Sequence, residues 1–233
     1  YGQASEMTRI VNIATKHHLQ VIEDCAQSHG ACFAGKMTGT FGISGCFSFY
    51  PTKNLGAFGD AGAVVTDDET FAEKLRMMRN YGSKIKYHNE IAGINSRLDE
   101  MQAALLRVKL SHLQALNDER KMLAQRYNEG IKNPIVWLPK VREDAESIYH
   151  QYVVKCMSRD SLQESLEQSG IQTQIHYPIP PHLAQCYHFL GHKKGDYPIT
   201  ESYADEVLSL PIYTGMTLEE QDYVIEKINA YQI

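Results

Sequence analysis

Several features of other protein classes are missing from this sequence. The five cysteines are irregularly spaced, at 25, 32, 46, 156 and 186, and form no C-x-x-C pair, which argues against a disulfide framework or a zinc ribbon. The histidines are scattered, so we expect no metal. No apolar run approaches the roughly 20 residues that a membrane-spanning helix needs, and no signal peptide is visible. We therefore expect a cytoplasmic protein with no membrane partner.

A concentration of positive charge is also missing. Lys plus Arg number 23 and Asp plus Glu number 28, which gives a formal net charge of −5. A protein that neutralises many phosphates needs the opposite balance, so we expect no nucleic-acid partner. Hydrophobic residues make up 43% of the chain, which is enough to fill a core and argues against disorder.

Hydrophobic periodicity predicts alternating strands and helices, which favours an α/β fold with an open, mostly parallel sheet. Asp67-Asp68, Ser96 with Asp99, and Thr217 with Glu220 are candidate helix caps. The predicted helices span residues 6–18, 69–80, 96–129, 161–169 and 218–231, and the predicted strands span 19–23, 46–50, 63–66, 148–156 and 171–176. The apolar first half of the helix at 96–129 is expected to face either the core or a subunit interface.

Composition changes after Asn133-Pro134, and we place a domain boundary there. Residues 1–133 are expected to form an α/β domain. Residues 134–233 are expected to form a smaller α+β domain.

Three polar residues are predicted near the ends of strands, where open α/β sheets place their ligands. Asp24 ends a buried strand, Ser48 lies in an aromatic strand, and Lys53 follows Pro51 in a glycine-flanked turn. A lysine held near an aspartate in such a cleft suggests Schiff-base chemistry, with the amine as nucleophile and the carboxylate as partner of a cofactor cation. Each residue also has a simpler interpretation: Asp24 as a helix cap, Ser48 as an ordinary strand hydroxyl, and Lys53 as a solvated side chain.

Longer segments carry a resemblance to a known family. They are residues 21–31 (VIEDCAQSHGA), 45–55 (GCFSFYPTKNL), 59–66 (GDAGAVVT), 79–83 (RNYGS), 93–103 (GINSRLDEMQA), 175–182 (IHYPIPPH) and 208–212 (LSLPI). In this order they resemble the DegT/DnrJ/EryC1/StrS family of pyridoxal-phosphate-dependent sugar aminotransferases, which have fold type I. The resemblance begins partway into the family's large domain. We therefore expect residues 1–133 to be the C-terminal part of the cofactor-binding large domain and 134–233 the small C-terminal domain.

The resemblance implies roles for individual residues. Lys53 aligns with the catalytic lysine that binds the cofactor aldehyde and moves a proton during the reaction. Asp24 aligns with the carboxylate that faces the pyridine nitrogen, and Gln27 with a residue beside the phenolic oxygen. Ser48 is expected to donate to the cofactor phosphate. Asn95 matches a residue that reaches the phosphate in the neighbouring subunit, which implies a homodimer.

Weaker assignments concern the substrate. His176 and Tyr177 stand where the family contacts sugar or nucleotide, although a structural role in the turn is an equal alternative. Tyr81 is a further substrate-binding candidate whose side chain could instead only pack.

The activity implied by the resemblance is transfer of an amino group from glutamate to a keto sugar nucleotide, most similar to members acting on dTDP-keto-6-deoxyhexoses. Such a reaction serves deoxyamino-sugar or surface polysaccharide biosynthesis, including lipopolysaccharide. Some relatives with His in place of the lysine dehydrate their substrate instead, and Lys53 favours the aminotransferase. A dehydratase or epimerase on the same scaffold, and a non-catalytic fragment that only dimerises, remain the alternatives.

Overall fold

Short strands and amphipathic helices make up the computed structural model of the protein, which describes residues 1–232. The helices are α1 (Met7–Lys16), α2 (Glu69–Met78), α3 (Glu100–Leu110), α4 (Leu113–Gly130), α5 (Arg159–Gln168), α6 (Pro198–Glu206) and α7 (Leu218–Ala230). The strands are β1 (Ile22–Asp24), β2 (Cys32–Phe33), β3 (Lys36–Met37), β4 (Ser44–Ser48), β5 (Gly62–Val65), β6 (Ser83–Ile85), β7 (His88–Asn89), β8 (Ala145–Glu146), β9 (Tyr152–Lys155) and β10 (Val207–Leu210). Two 3-10 helices span Pro181–Leu183 and Gln185–Leu190.

The chain divides into two units, which we call the first and the second unit. The first contains Gly2–Asp118 and Val141–His150. The second contains Tyr1, Glu119–Lys140 and the residues from Gln151 onward. The domain boundary at 133/134 stays a prediction. Within residues 1–232, no helix is long and apolar enough to cross a membrane.

A three-stranded sheet in the order β1-β4-β5 is the centre of the first unit. β1 and β4 are parallel, with Asp24 opposite Cys46, and β5 runs antiparallel to β4, with Ser48 opposite Gly62. The α/β class is confirmed, and this sheet combines one parallel with one antiparallel pairing. Because β1 and β4 point the same way, their carboxyl ends lie at the same edge.

A buried carboxylate connects the glycine-rich segment to this sheet. Glu23 of β1 accepts hydrogen bonds from the backbone N–H groups of Gly39 at 2.7 Å, Phe41 at 2.6 Å and Gly42 at 2.9 Å. Along a strand, successive side chains point to opposite faces. Glu23 therefore serves the fold on one face, while Asp24 is exposed on the other.

The second unit contains an antiparallel pair of strands, β9 and β10, with Tyr152 opposite Leu210. The rings of Tyr127 and Tyr152 lie 4.8 Å apart, and the Tyr127 hydroxyl donates to the Pro211 carbonyl at 2.8 Å. Both tyrosines are fully buried, and burial raises the pKa of the Tyr127 hydroxyl. This unit thus has its own apolar core.

The prediction of one long helix at 96–129 is wrong in two respects. It begins at Glu100 and is interrupted between Leu110 and Leu113. The Ser111 hydroxyl donates to the Val108 carbonyl at 2.7 Å, and a serine that bonds the backbone in this way competes with the helical pattern. Ser96 is not the cap, because its N–H donates to the Arg79 carbonyl at 2.9 Å and holds the chain in an extended bridge.

The strand predicted at 171–176 is also wrong, since only Gln174 pairs there, in an isolated bridge with Ser209. Two predicted caps are confirmed. Asp68 accepts from the N–H of Phe71 at the start of α2, and Thr217 forms a capping box with Glu220 at the start of α7.

Candidate active site

The carboxyl ends of β1 and β4 form the edge where the candidate site lies. Asp24 is the last residue of β1, and Ser48 is the last residue of β4. The Cys25 N–H donates to the Cys46 carbonyl at 2.8 Å, which continues the pairing one residue beyond β1. Parallel strands that end together open a crevice in which α/β proteins bind ligands.

Lys53 lies in a tight turn directly after β4. Its N–H donates to the Tyr50 carbonyl at 2.8 Å, and the Ala57 N–H donates to the Phe49 carbonyl at 2.8 Å. A Cβ atom at Gly56 would lie 2.3 Å from the Pro51 carbonyl oxygen, so only glycine fits where the turn closes. The turn that carries Lys53 is therefore closed by backbone hydrogen bonds directly after β4.

Lys53 and Asp24 interact electrostatically. The Lys53 side chain is half-buried, and this burial lowers the pKa of its amine, while the negative charge of Asp24 opposes the shift. A lowered amine pKa increases the fraction of neutral, nucleophilic amine near neutral pH. The structure thus brings together the two residues on which the predicted chemistry depends.

The turn after β1 leaves polar groups available at the same edge. One Asp24 oxygen, Oδ1, accepts from the Ala26 N–H at 3.0 Å. Gln27 is half-buried, and among residues 1–232 its side chain has no hydrogen-bond partner. The Ser48 hydroxyl accepts from the Tyr50 N–H at 3.3 Å and keeps its own proton to donate.

His29 is a neighbour of the site that motif reasoning missed. Its Nε2 lies 2.8 Å from the Ser48 carbonyl oxygen, and its ring lies 5.5 Å from Phe47 and 5.9 Å from Phe49. Burial lowers the pKa of His29, and the hydrogen bond to Ser48 opposes this shift, while the positive charge of Lys53 lowers the pKa further. The signal in the sequence was that His29 lies within segment 21–31, one of the segments that carry the family resemblance.

Tyr81 and Asn95 form a separate group in the first unit. The Tyr81 N–H donates to the Ile94 carbonyl at 3.0 Å, and Asn95 forms a bridge with Asn80. The Arg97 guanidinium lies 5.6 Å from the centre of the Tyr81 ring. Both predicted residues are exposed, and in the part of the chain that the structure describes neither makes a hydrogen bond or ring contact with Lys53. Their predicted roles stay predictions.

His176 and Tyr177 belong to the second unit. His176 Nδ1 lies 2.8 Å from Ser209 Oγ, and the Tyr1 hydroxyl donates to the His176 carbonyl at 2.5 Å. Both residues line a cavity of about 380 Å³ in this unit, together with Tyr1, Pro180, Pro181, Ile199, Thr200 and Tyr203. Tyr177 is 61% exposed.

A metal site has no support from the geometry. His188 and His192 stand four residues apart, a spacing that metal ligands often use. Among the residues that the structure describes, however, no group of three or more His, Cys, Asp or Glu side chains could hold an ion.

The fold and the site together define a class of protein. A mixed α/β unit with lysine and aspartate at neighbouring strand ends has the architecture of the fold-type-I pyridoxal-phosphate transferases. The sequence profile of the DegT/DnrJ/EryC1/StrS aminotransferase family matches residues 1–229. The chain therefore belongs to this family.

A curated relative illustrates both the similarity and its extent. The chain is 48% identical over 231 residues to the dTDP-3-amino-3,6-dideoxy-alpha-D-galactopyranose transaminase of Aneurinibacillus thermoaerophilus. The match covers 99% of this chain and 63% of that relative. The chain thus spans about three fifths of the length of the curated relatives it matches.

Solved structures agree with this assignment. DesV of S. venezuelae, solved in complex with a ketimine intermediate, superposes with a TM-score of 0.95 at 44% identity, covering 98% of this chain and 62% of that one. NtdA of Bacillus subtilis, solved with bound cofactor PMP, superposes with a TM-score of 0.87 at 32% identity, covering 98% and 54%.

Proposed function

We propose that the protein of this chain is a pyridoxal-phosphate-dependent aminotransferase that moves an amino group from glutamate to a keto sugar nucleotide. The observation that carries the proposal is the pairing of Lys53, whose amine has a lowered pKa, with Asp24 at one strand edge. The family and the transaminase names of its relatives support the reaction class.

The residues at the edge fit the cofactor. A ring cation requires a carboxylate, an aldehyde requires an amine, and a phosphate requires hydroxyl or N–H donors. Asp24, Lys53 and Ser48 supply these groups, and Gln27 has an unused amide beside them. When bound, pyridoxal phosphate supplies an aldehyde that combines with amines and a protonated ring that withdraws electrons.

Lys53 and Asp24 have distinct tasks in this proposal. The Lys53 amine would hold the cofactor aldehyde, and Nζ would take up and return a proton as a general base and acid. The Asp24 carboxylate would face the ring nitrogen and hold a proton on it. Ser48 and Gln27 orient the group by hydrogen bonds.

The substrate assignment rests on chemistry and on the named relatives. Glutamate gives its amino group and leaves as 2-oxoglutarate, while the sugar ketone becomes an amine. A dTDP-keto-6-deoxyhexose is the proposed acceptor, because relatives are named for dTDP-amino-deoxysugars. His176 and Tyr177 are the proposed contacts to sugar or nucleotide, with Tyr81 as a further candidate. The product would serve deoxyamino-sugar or surface polysaccharide biosynthesis, including lipopolysaccharide.

The assembly and location follow the same proposal. Asn95 is exposed and would reach the phosphate in a second subunit of a homodimer. Residues 1–133 would belong to the cofactor-binding large domain and 134–233 to the small domain. All five cysteines are free thiols, which suits a reducing cytoplasm.

Absorbance and product formation test the proposal. The full-length protein mixed with pyridoxal phosphate should show a visible band, which Lys53→Ala abolishes and which the exposed-site control Lys16→Ala retains. With glutamate and a keto sugar nucleotide, the wild type should release 2-oxoglutarate in a molar ratio of one to the amino sugar formed. A wild type without the band at any pH would remove the assignment. A band without 2-oxoglutarate would favour the dehydratase or epimerase.

A further inference from the structure

The turn that carries Lys53 is held at its carboxyl side by a buried amide. Asn54 is 6% exposed, and its Nδ2 donates to Asn117 Oδ1 at 2.8 Å and to the Ile148 carbonyl at 3.2 Å. His150 Nδ1 lies 3.0 Å from Asn54 Oδ1, and because an amide oxygen only accepts, the histidine is the donor. The side chain next to Lys53 therefore makes three hydrogen bonds.

The amino side of the same turn is held by His29. Its Nε2 lies 2.8 Å from the Ser48 carbonyl oxygen. Since a carbonyl only accepts, Nε2 carries the proton. The other ring nitrogen, Nδ1, is buried and has no hydrogen-bond partner among residues 1–232, which fits a neutral ring. Neutral His29 thus fixes the last residue of β4, where the turn begins.

A single side chain connects these two supports. Asn117 is 2% exposed. Its Nδ2 donates to the His29 carbonyl at 2.8 Å, and its Oδ1 accepts from Asn54. All of these residues belong to the first unit. We propose that Asn117 is a positioning residue for Lys53, because its amide joins the two ends of the turn that carries this lysine.

Within the turn, the Tyr50 N–H donates to Ser48 Oγ at 3.3 Å and the Lys53 N–H donates to the Tyr50 carbonyl at 2.8 Å. Tyr50, Pro51 and Thr52 are exposed. The position of the Lys53 amine therefore also depends on how the ends of the turn are held, and Asn117 connects the groups that hold them. Any role of Asn117 in catalysis rests on the function proposed above for Lys53. The hydrogen bonds of Asn117 are independent of that function.

The test measures the Lys53 amine in the cofactor-free, full-length protein. Trace acetylation over a series of pH values, followed by peptide mass spectrometry, gives the pKa of each lysine, with exposed Lys16 as internal reference. In Asn117→Leu the turn loosens and the amine gains water, so its pKa should rise by about half a unit and its labelling near pH 8 should fall about threefold. Lys53→Arg identifies the peptide.

Asn133→Leu is the matched control. Asn133 is also buried, and its amide donates to the Ile228 and Tyr231 carbonyls in the second unit. It should leave the Lys53 pKa unchanged. If Asn117→Leu does not fold, Asn117→Ser, which leaves room for water, should give a shift of the same sign. An unchanged Lys53 pKa in a folded Asn117 variant, or an equal shift in Asn133→Leu, overturns the proposal.

The outcome is separable from that of the proposed function, because the labelling needs no cofactor. If the Lys53 pKa shifts in the Asn117 variant but the wild type shows no visible band with pyridoxal phosphate, the aminotransferase assignment is removed and the positioning role is kept. If the wild type shows the band but the Lys53 pKa is unchanged in the Asn117 variant, the positioning role is overturned and the aminotransferase assignment is kept.

Discussion

Neighbouring residues of β1 divide structure and chemistry between them. Glu23 is buried and holds the glycine-rich segment through three backbone N–H groups. Asp24 points the other way and interacts with Lys53. This division follows from the two-residue period of a strand, so one short strand can build the fold and the site at once.

The first prediction concerns Glu23. In Glu23→Gln, an amide NH₂ replaces one acceptor oxygen opposite the backbone donors, and at least one buried N–H loses its partner. The free energy of unfolding should fall by about 2 kcal/mol. Urea titration followed by circular dichroism measures it. Exposed Glu143→Gln is the control and should stay within about 0.5 kcal/mol of the wild type. Equal stabilities of the two variants would contradict the role of Glu23.

Part of the site could be predicted from sequence alone. Asp24, Ser48 and Lys53 stand out because polar residues at strand ends follow from local periodicity, and parallel pairing then brings the ends together. The contacts of Asn117 could not be predicted. They join residues 63 and 88 positions away, and nothing local in a helix sequence indicates where its buried amide points.

At the scale of elements, the exposed segment 191–197 is held to α6 by one carboxylate. Glu201 accepts from the Gly195 N–H at 2.8 Å and from the Tyr197 N–H at 3.3 Å, and lies 2.9 Å from His182 Nε2. Burial alone would raise the pKa of Glu201, but the hydrogen bonds from Gly195, His182 and Tyr197 together lower it.

This lowered pKa makes stability depend on pH. A carboxyl whose pKa is lower in the folded than in the unfolded state stabilises the fold above its ordinary value of 4.5, and the contribution disappears as pH falls through the folded pKa. Wild type should therefore exceed Glu201→Gln in urea midpoint at neutral pH, and the difference should shrink as the pH falls below the ordinary carboxyl value of 4.5 and through the lowered pKa of the folded state. Exposed Glu167→Gln should show no such trend. A difference that grows towards acid would contradict the account.

The errors in the predicted helices and strands also have their cause at the scale of elements. The apolar pattern of 96–129 is helical almost throughout, but the Ser96 backbone pairs with Arg79, and the Ser111 hydroxyl bonds the Val108 carbonyl. Tertiary pairing and side-chain bonds to the backbone override periodicity at such points. The caps at Asp68 and Thr217 were predictable because they depend only on residues three positions away.

At the scale of the whole molecule, α3 presents an apolar stripe. Met101 is 77% exposed, Leu105 38% and Val108 62%, and their spacing places them on one face of the helix. A stripe of this kind is typical of an interface, which supports the proposed homodimer.

Val108→Glu tests this interface. A charge placed in an apolar interface should weaken dimerisation at least about tenfold, as measured by sedimentation equilibrium of the full-length protein. Met157→Glu changes a methionine of the second unit that is as exposed as Met101, at 77%, and should leave the dimer intact. A monomeric wild type would contradict the homodimer, and an unchanged Val108→Glu dimer would contradict the place of α3 in it.

The central claim is that the Lys53 amine binds the cofactor aldehyde, and chemical trapping tests this claim most directly. The full-length protein is incubated with pyridoxal phosphate, reduced with borohydride, digested and mapped by mass spectrometry. We predict that the phosphopyridoxyl group is found on Lys53, and that replacing Asp24 by Ala leaves this attachment but abolishes 2-oxoglutarate release. Attachment to another lysine, or to none, would contradict the account.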